Sequence, residues 1–166
     1  MIRSSGLLKG LHYVDPDVRD RAALAGKEVH GAIHRLSCGK RAGKISTQAQ
    51  LFLDGWSKFV RQTGYICEHS ELRLYCDEHW FAGTLDQVGM LSGRRIVMDM
   101  KATAGFDATH VAWQTAAYRH MFNLHYPDTP ATHRYGLHLK SGTYSLWPFK
   151  SHMDMARFII ARRKLG

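Results

Sequence analysis

Two aspartates and a lysine stand where burial is expected. The segment GTLDQVGMLSGRRIVMDMKATAG, residues 83–105, reads as two apolar strands about a Ser92-Gly93 turn, with Asp86 in the first and Asp99 and Lys101 in the second. Strand side chains alternate between faces, so Asp99 and Lys101 share one side. Counting outward from a two-residue turn, Leu91 pairs with Arg94, Asp86 lies opposite Asp99 and Thr84 opposite Lys101. Opposed residues have Cβ atoms about 4.5–5.5 Å apart, and like charges at that spacing repel. Such a pair needs a shared proton or a cation, and one ammonium serves two carboxylates poorly. Hard oxygen ligands at this distance suit Mg²⁺ or Mn²⁺. An edge strand with both acids in water is the competing arrangement, and Ile96, Val97, Met98, Met100 and Ala102 argue against it for the second strand. A slip of one residue would turn one aspartate to the other face.

Further polar residues recur at helical spacing. Gln114 and Tyr118 form an i, i+4 pair, as do His30 and His34. A surface or packing role is the ordinary one for a Gln and a Tyr on a helix. Spacing does not choose between the two histidines, and HGAIH lacks the glutamate of a zinc-protease motif.

The elements that must position these groups follow from periodicity and punctuation. Residues 15–36 read as a helix with Asp15 or Asp17 near the N-cap, Pro16 in its first turn and an apolar stripe of Ala22, Leu24, Ala25, Val29, Ile33 and Leu36. A basic loop, SCGKRAGK, leads to a helix over 47–62 with Leu51, Trp56, Phe59 and Val60 on its apolar side, which Thr63-Gly64 ends. Residues 65–76 read as a strand, followed by the hairpin of about 79–91 and 94–102, a helix over 107–124, a hairpin of 132–140 and 143–149 about Ser141-Gly142, and a final helix over 151–165. The expected fold class is α/β (α+β): a central mixed β-sheet flanked by helices, in one domain spanning 1–166.

Composition narrows the functional classes. The chain has 166 residues, 45% hydrophobic and 22% charged, ordinary for a soluble globular protein. No apolar run approaches the ~20 residues that span a bilayer, and the first residues do not read as a signal peptide. Three scattered cysteines, Cys38, Cys67 and Cys76, suit reduced thiols in a cytoplasmic protein better than a disulfide framework or a zinc site. The formal net charge of +9, with 11 histidines besides, favours a polyanionic partner, of which nucleic acid is the commonest; a basic surface that only aids solubility is the alternative.

Four segments in order, Gly26-Lys-Glu-Val-His30, Gly83-Thr-Leu-Asp86, Asp99-Met100-Lys101 and Gln114 to Tyr118, resemble the motifs of the PD-(D/E)XK nuclease superfamily, in its RecB-like, phage-type exonuclease branch. The resemblance covers roughly residues 26–118. It implies a restriction-endonuclease-like core and a metal held by the His30 imidazole, the Asp86 and Asp99 carboxylates and the Met100 carbonyl. It implies that Lys101 positions and activates the attacking water, and that Gln114 and Tyr118 orient the site or contact the DNA backbone. Glu71 falls where the family often has an acid, as a second-metal or supporting residue; an exposed strand glutamate is the other reading. The implied activity is Mg²⁺- or Mn²⁺-dependent hydrolysis of DNA phosphodiesters in phage-like recombination, repair or processing, as an exonuclease. A structure-selective or sequence-specific endonuclease and an inactive DNA-binding module of the same fold are the alternatives. The three cysteines do not suit the four-cysteine iron–sulfur cluster of some relatives. Implied partners are DNA and a phage recombination or replication protein, with no membrane, in the cytoplasm of a bacterial or phage-infected cell. Basic segments 39–44, Arg94-Arg95 and 162–164 are candidates to grip the DNA backbone without reading sequence.

Overall fold

The computed structural model describes residues 16–164. Helices α1 (Pro16–Ser37) and α2 (Thr47–Thr63) come first. Strands β1 (Ile66–Cys76), β2 (Phe81–Leu91) and β3 (Arg94–Lys101) follow, then helix α3 (Ala108–His125), strands β4 (His133–Lys140) and β5 (Thr143–Phe149), and helix α4 (Asp154–Arg163). The strands form one sheet in chain order, antiparallel except for the parallel β3–β4 pair that α3 connects. The architecture is α+β, a five-stranded mixed sheet flanked by four helices, consistent with the restriction-endonuclease-like core expected. No described helix is long and apolar enough to cross a membrane.

The helices begin and end where side chains can satisfy their free backbone groups. Ser46 caps α2 by accepting the Ala49 N–H at 3.3 Å, Asp107 caps α3 by accepting that of His110 at 2.9 Å, and Gly64 closes α2 in the left-handed region. Asp17 lies in the first turn of α1, while Asp15, the other N-cap candidate, lies outside the described residues.

Two core clusters line the sheet. One joins Ala25, Val29, Ala32 and Ile33 of α1, Phe52, Leu53, Trp56 and Phe59 of α2, and Ile96, Met98, Met100, Leu137 and Leu139 of the sheet. The other joins Leu74, Leu85, Val88 and Val97 to Met121 and Phe122 of α3. The buried stripe of α1 is narrower than periodicity predicts, because Leu24 (57% exposed) and Leu36 (39%) turn away from the sheet and Ala22 is exposed as well.

The Ser92-Gly93 turn sets the β2–β3 register as counted, with Leu91 opposite Arg94. Both turn residues have positive φ, 50° and 74°, the type I′ geometry whose twist matches that of the strands. The ladder, however, runs only as far as Gln87↔Met98. Asp86 is therefore not a ladder partner of Asp99, nor Thr84 of Lys101: the Met100 N–H, 2.7 Å from Asp86 Oδ2, bonds a side chain where regular pairing would lead it to a strand carbonyl. Beyond Met98, β3 continues with β4 while β2 continues with β1, and the site lies where the two strands part.

Candidate metal centre

Asp99 is the deepest group of the site. It is 1% exposed, on a strand whose Ile96, Val97, Met98, Met100 and Ala102 are buried, so a solvated edge strand does not describe β3. Lys101 Nζ lies 2.9 Å from Asp99 Oδ2, on the face that strand alternation predicts. The pair has poor angular alignment, and neither buried carboxylate oxygen of Asp99 has a well-formed hydrogen bond among the described residues. Burial and then the neighbouring Asp86 charge push the Asp99 carboxyl up to about 7, against the opposing pull of Lys101. Burial likewise raises the Asp86 carboxyl, although His30, the Met100 N–H and Lys101 counter it.

Asp86 divides its two oxygens between two tasks. Oδ2 accepts the Met100 N–H, which fixes the carboxylate plane, and Oδ1 faces His30 Nδ1 at 3.8 Å. Glu71 Oε1 stands at the same 3.8 Å from His30 Nδ1. His30, Glu71 and Asp86 each offer a ligand atom within 4.8 Å of the others. Burial disfavours the charged imidazole of His30, but the Glu71, Asp86 and Asp99 carboxylates outweigh it and its pKa lies above the ordinary value.

Glu71 earns its place through sheet register. The flanking pairs Ser70↔Gln87 and Leu72↔Leu85 put it opposite Asp86 across β1–β2, and its φ of 55° is rare for a non-glycine residue in mid-strand. The acid facing Asp86 in a paired strand is thus Glu71. That pairing is not legible in the sequence because β1 and β2 are joined by a longer turn whose register no local signal fixes. Asp99 lies outside the group of three, its carboxylate held beside Lys101 at the floor, while the side chains of His30 (27% exposed) and Glu71 (35%) open toward solvent. Met100 enters through its N–H to Asp86, and its side chain is core.

The structure separates the two α1 histidines. His34 lies 3.1 Å from Ser70 Oγ and 4.0 Å from Cys38 Sγ, and takes no part in the His30 group. Across the site, Lys101 Nζ donates to Gln114 Oε1 at 3.2 Å and Gln114 Nε2 donates to Tyr118 Oη at 2.7 Å. The i, i+4 pair of α3 thus faces the lysine, and the chain Asp99–Lys101–Gln114–Tyr118 joins strand to helix. Burial, followed by the Asp99 and Asp86 charges, raises the Tyr118 pKa and keeps the phenol protonated. Gly83 makes room for this ring: a Cβ there would come 2.9 Å from Tyr118 Cε1.

These groups fit a divalent cation. Three carboxylates and one imidazole crowd one space with a single ammonium, and two of the acids take up protons more readily than usual, chiefly because they are buried and the nearby cations offset that only in part. Carboxylate oxygens with one imidazole suit Mg²⁺ or Mn²⁺.

The basic segments are not equally available. Arg95 is engaged with both Glu68 oxygens at 2.6 and 2.8 Å, Arg94 donates to His133 at 2.8 Å, and Arg162 donates to the carbonyls of His79 and Trp80. Lys40, Arg41 and Lys44 are exposed on a loop folded back along α1, where Ala42 O accepts from Arg35 at 2.6 Å and the Ser46 N–H donates to Glu28 at 3.1 Å. That return runs along the Glu28 and Arg35 side of the helix. Neither a protein-family model nor a curated protein matches the chain.

Proposed function

We propose that the chain is a metal-dependent DNA nuclease of the PD-(D/E)XK type, hydrolysing phosphodiesters as an exonuclease in phage-like recombination, repair or processing. The observation that carries this reading is the convergence of His30, Glu71 and Asp86 on one space, with Asp99 and Lys101 against it and Gln114 holding Lys101. His30 Nδ1, Asp86 Oδ1 and Glu71 Oε1 would hold the ion, with Asp99 completing the anionic floor. A bound Mg²⁺ or Mn²⁺ lowers the pKa of water and neutralises charge developing on a phosphate.

The protein's own groups do the rest. The Met100 N–H locks Asp86 so that Oδ1 faces His30. Tyr118 accepts from the Gln114 amide nitrogen, which turns the Gln114 oxygen to Lys101. An ammonium has three donors, and with one given to Gln114 a donor remains for the attacking water or the added charge on phosphorus. The net charge of +9 and the basic loop support a polyanionic substrate held by its backbone.

Incubation of the purified chain with linear and with circular duplex DNA, with Mg²⁺ or Mn²⁺ and an Asp99→Ala control, tests the reading. Metal-dependent loss of linear DNA alone is expected. Nicked or linearised circles would reassign the chain to the endonucleases. DNA retarded on a gel but left intact under every metal would make it a binding module.

A further inference from the structure

A second cluster of ligand-type side chains lies at the far end of the β1–β2 hairpin. Glu78 and His79 occupy the turn between Cys76 and Phe81, and His120 faces them from α3. His79 Nε2 lies 3.7 Å from Glu78 Oε1 and His120 Nε2 lies 4.0 Å from Glu78 Oε2, while the two imidazole centroids are 5.7 Å apart. All three ligand atoms fall within 4.8 Å of one another. We propose that Glu78, His79 and His120 form a second metal site, taking a borderline divalent ion of the Zn²⁺ type and pinning the hairpin tip to α3.

The spacing is the first argument. An imidazole hydrogen-bonded to a carboxylate would stand about 2.8 Å from it. Ligands 2.0–2.2 Å from a tetrahedral ion stand roughly 3.4 Å from each other. Separations of 3.7 and 4.0 Å are too long for the first arrangement and closer to the second.

The second argument is His120 itself. Its Nε2 is buried and has no hydrogen-bond partner among the described residues, so its lost hydration is uncompensated unless something binds there.

Preorganisation is the third. Arg162 of α4 donates to the carbonyls of His79 and Trp80 and lies over the Phe81 ring, 5.8 Å from its centroid. Trp80 has a φ of 53°, so the turn holds a conformation that ordinary side chains avoid. Two nitrogens and one carboxylate prefer Zn²⁺, Co²⁺ or Ni²⁺ over Mg²⁺, and three protein ligands leave one position for water. Its residues are separate from the His30 group and its donor set is softer, so the two sites call for different ions.

The test uses the full chain without a histidine tag, stripped of metal, in an Asp86→Asn background that weakens the other site. Calorimetric titration with ZnCl₂ is expected to show one equivalent bound, unaffected by millimolar Mg²⁺, with a zinc-dependent rise in Tm. His79→Ala and Glu78→Gln, both in the turn, are each expected to weaken zinc binding about tenfold or more and to abolish that rise. Glu78 is 67% exposed, so its substitution leaves the fold intact and its zinc response interpretable. Zinc binding and Tm unchanged in both variants would overturn the site. No DNA cleavage enters the readout, so this result stands or falls apart from the nuclease reading.

Discussion

Asp99 is the residue at which the proposed activity would conflict with stability. It is a buried acid whose carboxyl is pushed up to about 7, against 3.8 for the free group. A raised acid pKa means that the folded state binds the proton more tightly than the unfolded chain. The corresponding stability is present in full below the unfolded value and is lost as pH rises through the folded one. The metal-free protein should therefore lose thermal stability between pH 4 and 8. Asp99→Asn removes the buried charge, so its Tm should exceed that of the parent at pH 8 and approach it near pH 4, while metal-dependent activity disappears. Thermal melts in chelator across that range measure the difference. A Tm gap that does not widen with pH would show that Asp99 is not the titrating group. On the proposed reading, an ion held by His30, Glu71 and Asp86 favours the ionised form of the neighbouring Asp99, so divalent affinity should rise with pH through about 7.

At the scale of elements, what holds the frame is a pair that motif reading passed over. Arg134 of β4 is 2% exposed and donates to Asp154 at 2.9 Å, to Ala112 O at 2.7 Å and to Ser151 O at 2.8 Å. One guanidinium thus ties β4 to α3 and to the start of α4. Removing one partner strands the other charge inside the protein, so Asp154→Ala should destabilise by about 3–5 kcal/mol, measured by urea unfolding. Because α3 also carries Gln114 and Tyr118, that variant should lower activity together with stability. Gly55 makes a similar demand on α2, since any Cβ there would run into the Thr143 carbonyl of the β4–β5 hairpin.

For the whole molecule, a net charge of +9 is distributed unevenly in what it can do. Arg95 spends its charge on Glu68 and Arg162 spends its donors on the hairpin, whereas Lys40, Arg41 and Lys44 stand exposed on the loop beside α1. Phosphate contacts release counterions, and log K falls by about 0.9 per contact for each unit of log salt. Replacing the three loop cations with glutamine should reduce the slope of log K against log salt by roughly 2–3 and weaken binding to all DNA sequences alike. Gel-shift or anisotropy titrations at several salt concentrations measure that slope. An unchanged slope would move the DNA path away from this loop.

The amino-acid order by itself determined the elements and one hinge of the site. Apolar periodicity, Gly64 and the Ser92-Gly93 turn are local signals, so α1 to α3 and the five strands were legible within a residue or two, α4 begins three residues later than expected, and alternation alone put Lys101 beside Asp99. The helical spacing of Gln114 and Tyr118 likewise placed them on one face, though not against Lys101. Tertiary structure decided the rest, because it depends on contacts between residues far apart in the chain. The parting of β2 from β3 after Met98 gave Asp86 the Met100 N–H. The β1–β2 register brought Glu71 opposite Asp86, and the packing of α1 put His30 rather than His34 beside them. The approach of α3 to the hairpin tip joined His120 to Glu78 and His79. Local rules act over a few residues of backbone, whereas a metal centre is assembled from strands and helices whose mutual approach only the packed core sets.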